Sequence, residues 1–230
     1  MNAPSPDAAG PLAVLVSGGA DSAVLVGESI RRQSSVFPLY VRCGLYWEST
    51  ELEHLRRFLA AISTSALQPL TVLEMPVGDL YLSHWSLTGV GVPGADTPDD
   101  AVFLPGRNVL LLAKSMLWCH LHDVPAVALA PLEANPFPDA TPEFFAAFRD
   151  VVNSAVGGVV QVLQPYRGLT KADVLLRGRH LPLELTFSCI RPDRGNHCGV
   201  CNKCAERRHA FMAAGLVDRT VYSSGASCTA

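Results

Sequence analysis

The sequence predicts an α/β protein: a doubly wound, mainly parallel five-stranded sheet followed by a C-terminal helical segment of different character. Three observations predict it. Short runs rich in Val and Leu alternate with longer stretches of helical periodicity, the pattern of strand–helix–strand units. Five such runs occur before residue 185. After Leu185 the alternation stops, and cysteines and basic residues take over.

The elements follow in order. Residues 1–11 (MNAPSPDAAGP) lack both the positive start and the long apolar middle of a secretory signal, and read as a disordered leader. Leu12–Val16 is a strand and Asp21–Arg32 the helix after it. Val36–Arg42 is the second strand. Thr50–Ile62 carries Leu52, Leu55, Leu59 and Ile62 among acids and bases, an amphipathic helix. Leu70–Met75 is the third strand. Gly78–Pro105 is long and rich in Gly, Pro and Asp, a loop or flap of the kind that is more often functional than idle. Asn108–His122 is an apolar helix, with Asn108 as its candidate cap. Ala126–Ala130 is the fourth strand, Pro131–Pro142 a second irregular stretch, Glu143–Ser154 a helix and Val159–Gln164 the fifth strand. Thr170-Lys171-Ala172-Asp173 opens a further helix, with the threonine as cap and Asp173 at its third position. The expected organisation is a strand–helix domain over 12–185, a cysteine-bearing segment over 186–220 and a tail over 221–230.

With 230 residues, 49% of them hydrophobic, the chain can bury one sizeable core and a small appendix. The net charge of −3 supplies no general basic field, so neither nucleic acid nor an anionic membrane is an expected partner. No apolar stretch approaches ~18 residues, the length of a membrane span. A cytoplasmic location is expected. The seven cysteines then argue for free thiols or metal rather than disulfides.

Two clusters carry chemistry. The first is Ser17-Gly18-Gly19-Ala20-Asp21-Ser22, between the first strand and its helix. A helix start exposes unpaired backbone N–H groups under a positive dipole end. Glycines let that backbone approach an anion closely. Ser17 and Ser22 add hydroxyls, and Asp21 can cap the helix or help hold Mg²⁺. The loop suits a pyrophosphate, although a tight turn with a capped helix is the bland alternative. It matches neither GxxxxGK[ST] nor GxGxxG. The second cluster is Cys189, Cys198, Cys201 and Cys204, spaced C-x8-C-x2-C-x2-C. Four thiolates at such spacing enclose one tetrahedral Zn²⁺ of structural type; an iron–sulfur cluster and redox thiols are the rival readings. His197 is a candidate substitute ligand or neighbour of that site. Cys119 reads as core, and Cys43 and Cys228 lack a partner at metal spacing.

The six-residue loop resembles that of the PP-loop ATP pyrophosphatases, the adenine nucleotide alpha-hydrolase-like group, which split ATP to AMP and pyrophosphate. The cysteine cluster, preceded by Ser188 and followed by Arg207 and Arg208, resembles the zinc site of one branch, the 7-cyano-7-deazaguanine synthase (QueC) family. Pro105-Gly106-Arg107-Asn108, Pro138-Asp139 with Pro142-Glu143-Phe144, and Leu169-Thr170-Lys171-Ala172-Asp173 resemble further family motifs, in order, over about residues 12–215.

That resemblance implies a ligase using ATP, Mg²⁺ and structural Zn²⁺. It adenylates 7-carboxy-7-deazaguanine, converts the adenylate with ammonia to an amide and dehydrates the amide to the nitrile with a second ATP. It implies that 12–185 is the ATP-binding domain, with ATP held by Ser17, Gly18, Gly19, Ala20, Asp21 and Ser22. Asp21, Lys171 and Arg107 become catalytic candidates. Glu133, Phe137 and Asp139 become candidates for the base, a carboxylate for its ring N–H and amine and an aromatic face for stacking. Family members are often homodimers. The chain departs from the family pattern at 42–48 and 133–141, both on the substrate side. A second reading therefore stands beside the first: a related enzyme that passes an adenylated acid to another amine, such as one on a protein. A non-enzymatic module using the loop for nucleotide and the cysteine knuckle for RNA or protein is the third.

Overall fold

The computed structural model describes residues 10–223. The leader expected over 1–11 lies mostly outside them, as do Cys228 and the end of the expected tail. Five strands form one sheet: β1 (Leu12–Leu15), β2 (Val36–Arg42), β3 (Thr71–Glu74), β4 (Ala126–Ala128) and β5 (Gln161–Leu163). Their order is β3-β2-β1-β4-β5, and every pairing is parallel. The expected doubly wound architecture is what forms.

Side-chain alternation along β1 shows why both faces are covered. Ala13 and Leu15 join one core, while Leu12, Val14 and Val16 join the other. On the first face lie α5 (Arg107–Leu121) and α6 (Pro142–Val156), through Leu112, Met116, Cys119 and Phe145. On the second lie α1 (Ala20–Ser29), α2 (Glu48–Ala61), α7 (Lys171–Arg177) and α8 (Asn202–Ala213). Strands buried on both faces read as continuous apolar runs, which is why they were visible in the sequence.

The stretch 78–105, expected as a loop or flap, is folded onto the body. It holds two one-turn helices, α3 (Gly78–Tyr81) and α4 (Trp85–Thr88), and a 3₁₀ turn at Asp99–Val102. Val102 and Leu104 are buried in the first core. Trp47 stacks on Trp85 at 5.8 Å and is buried, so it closes that core. Neither tryptophan is an open platform for a base.

Two capping expectations are corrected. Asp21 does not cap α1: the N-cap is Gly19, so the first turn has no side-chain cap. Asn108 does not cap α5 either. The cap is Gly106, in the left-handed region at φ 74°, and the free amide of Asn108 is taken by Asp139 Oδ2 at 3.0 Å. The capping box of Thr170 and Asp173 on α7 forms as expected.

Candidate active site and metal centre

In open parallel sheets, ligands sit beyond the carboxyl ends of the strands where the winding order reverses. Here β1 lies between β2 and β4, so the loops after β1 and β4 leave the sheet in opposite directions. A cleft of about 230 Å³ opens there, lined among others by Ser17, Asp21, Ser22, Arg107, Asn108 and Asn135. A neighbouring cleft of about 270 Å³ shares Pro131, Asn135 and Phe145 with it, and is also lined by Glu133, Gln164 and Arg167.

The Ser17–Ser22 loop is internally braced. The Ser22 hydroxyl accepts the Ser17 amide at 3.2 Å, and Ser17 Oγ accepts the Gly19 amide at 3.2 Å. Ala20 is buried at the start of α1. Gly18 passes between α2 and the cysteine segment: its carbonyl accepts the Phe187 amide at 2.6 Å. A Cβ on Gly18 would lie 2.6 Å from Glu51 Cγ and 3.1 Å from the Phe187 carbonyl. Glycine is required there by space.

Lys171 reaches the loop from α7. Its ammonium lies 3.2 Å from Asp21 Oδ2 and 2.8 Å from Glu206 Oε1 on α8. Burial alone would lower its pKa, but the two carboxylates overcome that and raise it, so it stays a cation. Two buried polar atoms in the cleft lack a partner among the described residues: Asp21 Oδ1 and Arg107 Nε. A buried carboxylate oxygen and a buried guanidinium N–H left unpaired fit a cation and an oxyanion respectively.

The loop serines and glycines, Asp21, Arg107 and Lys171 thus converge on one rim. The substrate-side candidates divide. Asp139 is buried and committed to α5, with Oδ2 on the Asn108 amide and its carbonyl on the Asn108 side chain at 2.9 Å. It fixes the first turn, which carries Arg107. Phe137 stacks on Phe103 at 5.1 Å. Glu133 is exposed and lines the second cleft.

Sequence reading missed Glu51. It lines the cleft from α2, is buried, and accepts Tyr40 Oη at 2.7 Å. Burial is the main force raising its pKa, with the Arg107 charge opposing. The signal was present: an acid beside Leu52 on the apolar stripe of an amphipathic helix. Glu206 was missed too, because its partner is 35 residues away in sequence.

The cysteine segment forms a compact centre. Cys189, Cys198, Cys201 and Cys204 are all buried, with Sγ atoms within 4.8 Å of one another. The Cys189–Cys201 and Cys198–Cys204 sulfurs are 3.8 and 4.0 Å apart. A tetrahedral ion with bonds of about 2.3 Å sets its sulfurs roughly 3.8 Å apart, so the four residues fit one metal ion. Gly199, at φ 80°, makes the turn between ligands. Backbone amides of Arg191 and Cys198 point at Cys189 Sγ, each at 3.3 Å. His197 is outside the four-sulfur group: buried and held neutral by desolvation, it accepts the Ser188 amide at 3.1 Å. Arg207 is fully buried and ties α8 to Thr186, Leu183 and Thr220. Tyr222, in the expected tail, packs edge-on against His197. Asn202 and Val200 bind the backbone of 93–97, joining the segment to the folded flap. Cys43 and Cys119 are buried, and burial pushes their thiols up to about 11 and about 12, unsuited to nucleophilic work at neutral pH. No helix among the described residues is long and apolar enough to cross a membrane.

Comparison with known proteins agrees with this geometry. A family model described as "Queuosine biosynthesis protein QueC" matches residues 12–215. The 7-cyano-7-deazaguanine synthase of Syntrophobacter fumaroxidans is 32% identical over 91% of this chain and 94% of its own length. That of Methanothermobacter thermautotrophicus is 32% identical over 90% of this chain and 97% of its own. Among solved structures, a 4-thiouridine synthetase in complex with RNA and ATP superposes with a TM-score of 0.51 at 14% identity, covering 90% of this chain and 50% of that one. That likeness concerns the fold alone.

Proposed function

The chain belongs to the QueC family, and from that premise we propose that it is an ATP-dependent ligase converting 7-carboxy-7-deazaguanine and ammonia into 7-cyano-7-deazaguanine, with release of AMP and pyrophosphate. The observation that carries the reading is the pair of unpartnered buried atoms, Asp21 Oδ1 and Arg107 Nε, on the cleft beside the glycine loop. Together with Lys171 they offer a cation site and two positive groups where a polyphosphate would lie.

The chemistry asks the protein mainly to position groups and stabilise charge. The substrate carboxylate attacks the α-phosphorus of ATP and pyrophosphate leaves. Ammonia displaces AMP from the acyl adenylate to give the amide. The amide oxygen then attacks the α-phosphorus of a second ATP and expels a second pyrophosphate; loss of AMP and of the two amide protons leaves the nitrile. The amides of 17–22 and the positive end of α1 hold the pyrophosphate oxygens. Lys171 supplies a point charge to them, and Arg107 a donor to the phosphoryl group undergoing attack. Asp21 helps hold Mg²⁺, which neutralises the triphosphate. The four cysteines hold a structural Zn²⁺, which keeps 186–223 folded against the loop.

For the base, Glu133 is the acid free to accept from the ring N–H and exocyclic amine, since it lines the second cleft. Asp139 serves the same site indirectly, by fixing the turn that bears Arg107. Phe137 covers the base if its stack with Phe103 opens. Ammonia and the small acid are the partners the ligase requires, and the reaction places it in the cytoplasm, where ATP is available.

Mass spectrometry of purified protein with ATP, Mg²⁺, ammonium and 7-carboxy-7-deazaguanine tests the reading. The nitrile base appearing with AMP is expected. An ATP-binding, metal-loaded protein that yields neither product refutes it.

A further inference from the structure

We propose that Glu206 is a positioning residue for Lys171, through which the cysteine segment prepares the phosphate-binding loop. Glu206 stands two residues beyond Cys204 on α8. Its Oε1 accepts the Lys171 ammonium at 2.8 Å, and its Oε2 accepts that of Lys203 at 2.7 Å. Lys171 also lies 3.2 Å from Asp21 Oδ2. The side chains of Lys171, Asp21, Glu206 and Lys203 are 20 to 27% exposed, so these ions are partly desolvated.

An ammonium has three donors. Glu206 and Asp21 engage two from different elements, which leaves the third for a phosphate oxygen. Glu206 is itself fixed, because Lys203 holds its second oxygen. Without Glu206, the remaining carboxylate for Lys171 is Asp21. The ammonium would close onto it, occupying a group that the bound nucleotide and its cation need free. Removing a negative charge also leaves the site more positive, which by itself favours an anion. That gain is screened, because Lys203 becomes a solvated cation at the rim. The loss acts at contact distance and therefore wins.

The inference rests on the phosphate-site reading above, and its test requires neither the acid nor ammonia. ATP affinity is measured by equilibrium dialysis on metal-loaded wild type, Glu206→Ala and Glu206→Gln. Loss of one charged hydrogen bond to the phosphate-binding ammonium corresponds to about a tenfold weakening. Glu206→Ala is expected to bind ATP about tenfold more weakly at wild-type metal content and melting temperature. Glu206→Gln, which keeps an acceptor oxygen, recovers most of that. Wild-type ATP affinity in metal-loaded Glu206→Ala overturns the proposal, as does a loss that merely tracks lost metal. Should Glu206→Ala not accumulate folded, Glu206→Asp decides: withdrawing the carboxylate by one methylene weakens ATP binding severalfold, or wild-type affinity overturns the proposal. If the proposed ligase reaction fails instead, ATP binding and its dependence on Glu206 persist while no nitrile forms. A wild type with no ATP affinity overturns both.

Discussion

Replacing Lys171 by Met separates catalysis from stability. The substitution keeps the side chain's length and removes the ammonium. In the resting protein that ammonium bridges Asp21 at 3.2 Å and Glu206 at 2.8 Å. The stability cost is small, because all three side chains are at least 20% exposed and Glu206 keeps Lys203 at 2.7 Å. Partly solvated pairs of this kind are worth about 1 kcal/mol or less, a shift of roughly 2–4 °C in the melting temperature of a chain this size. Catalysis loses more. A preorganised charged donor acting on developing charge contributes about 3–4 kcal/mol, or 10²–10³ in rate. Initial rates of pyrophosphate release, with kcat and KM for ATP resolved, give the first number, and thermal denaturation gives the second. A rate loss below about fivefold, or one matched by extensive unfolding at the assay temperature, would refute the reasoning.

Three further predictions follow from the same geometry. Glu51→Gln keeps an acceptor for Tyr40 and removes an ionisable group whose folded pKa burial raises above its ordinary 4.5. A raised carboxylate pKa means the folded state holds the proton more tightly, so wild-type stability declines as pH rises from about 4.5 through the folded value. The variant should therefore melt higher than wild type on the alkaline side of that window and no higher below it; an equal difference at every pH would contradict this. Gly18→Ala puts a Cβ 2.6 Å from Glu51 Cγ and 3.1 Å from two carbonyl oxygens; backbone cannot yield as a side-chain end can, so denaturant unfolding should show a loss of about 1–3 kcal/mol, and an unchanged midpoint would count against the packing described. Chelating the metal should speed hydrogen exchange at the Ala95 and Asn202 amides, which bond Val200 and Pro93 across the segment boundary, while the Val16 amide on the sheet stays protected; unchanged exchange at Ala95 and Asn202 would show that the segment does not depend on metal.

Much of this architecture was legible along the chain. Buried parallel strands are apolar throughout, so β1 and β2 stand out as unbroken runs such as LAVL. The four-cysteine spacing and the Thr170–Asp173 box are local patterns, and both form as read. What escaped was set by contacts between distant segments. Helices α3 and α4 are one turn each, too short for a period to register. The amide of Asn108 is satisfied by Asp139, 31 residues on, and no local rule reveals that partner. Glu51 is a partial exception: its place beside Leu52 on the apolar stripe of α2 hints at burial, but its partner Tyr40 on β2 is supplied by the fold. Glu206 lies among the charges of a basic helix, and only the docking of α8 against α7 brings it to Lys171. The second-strand departure at 42–48 has a structural account as well: Trp47 joins the core, and Glu48 binds the amides of Cys43 and Gly44, each at 2.7 Å.

The measurement closest to the central claim is the ratio of AMP to base product with ¹⁵N-labelled ammonium as the nitrogen source. Two successive activations of one substrate require two AMP for each molecule of 7-cyano-7-deazaguanine, with the label in the nitrile. That ratio and that label are what the account predicts. One AMP per labelled amide, with no nitrile at completion, would contradict it.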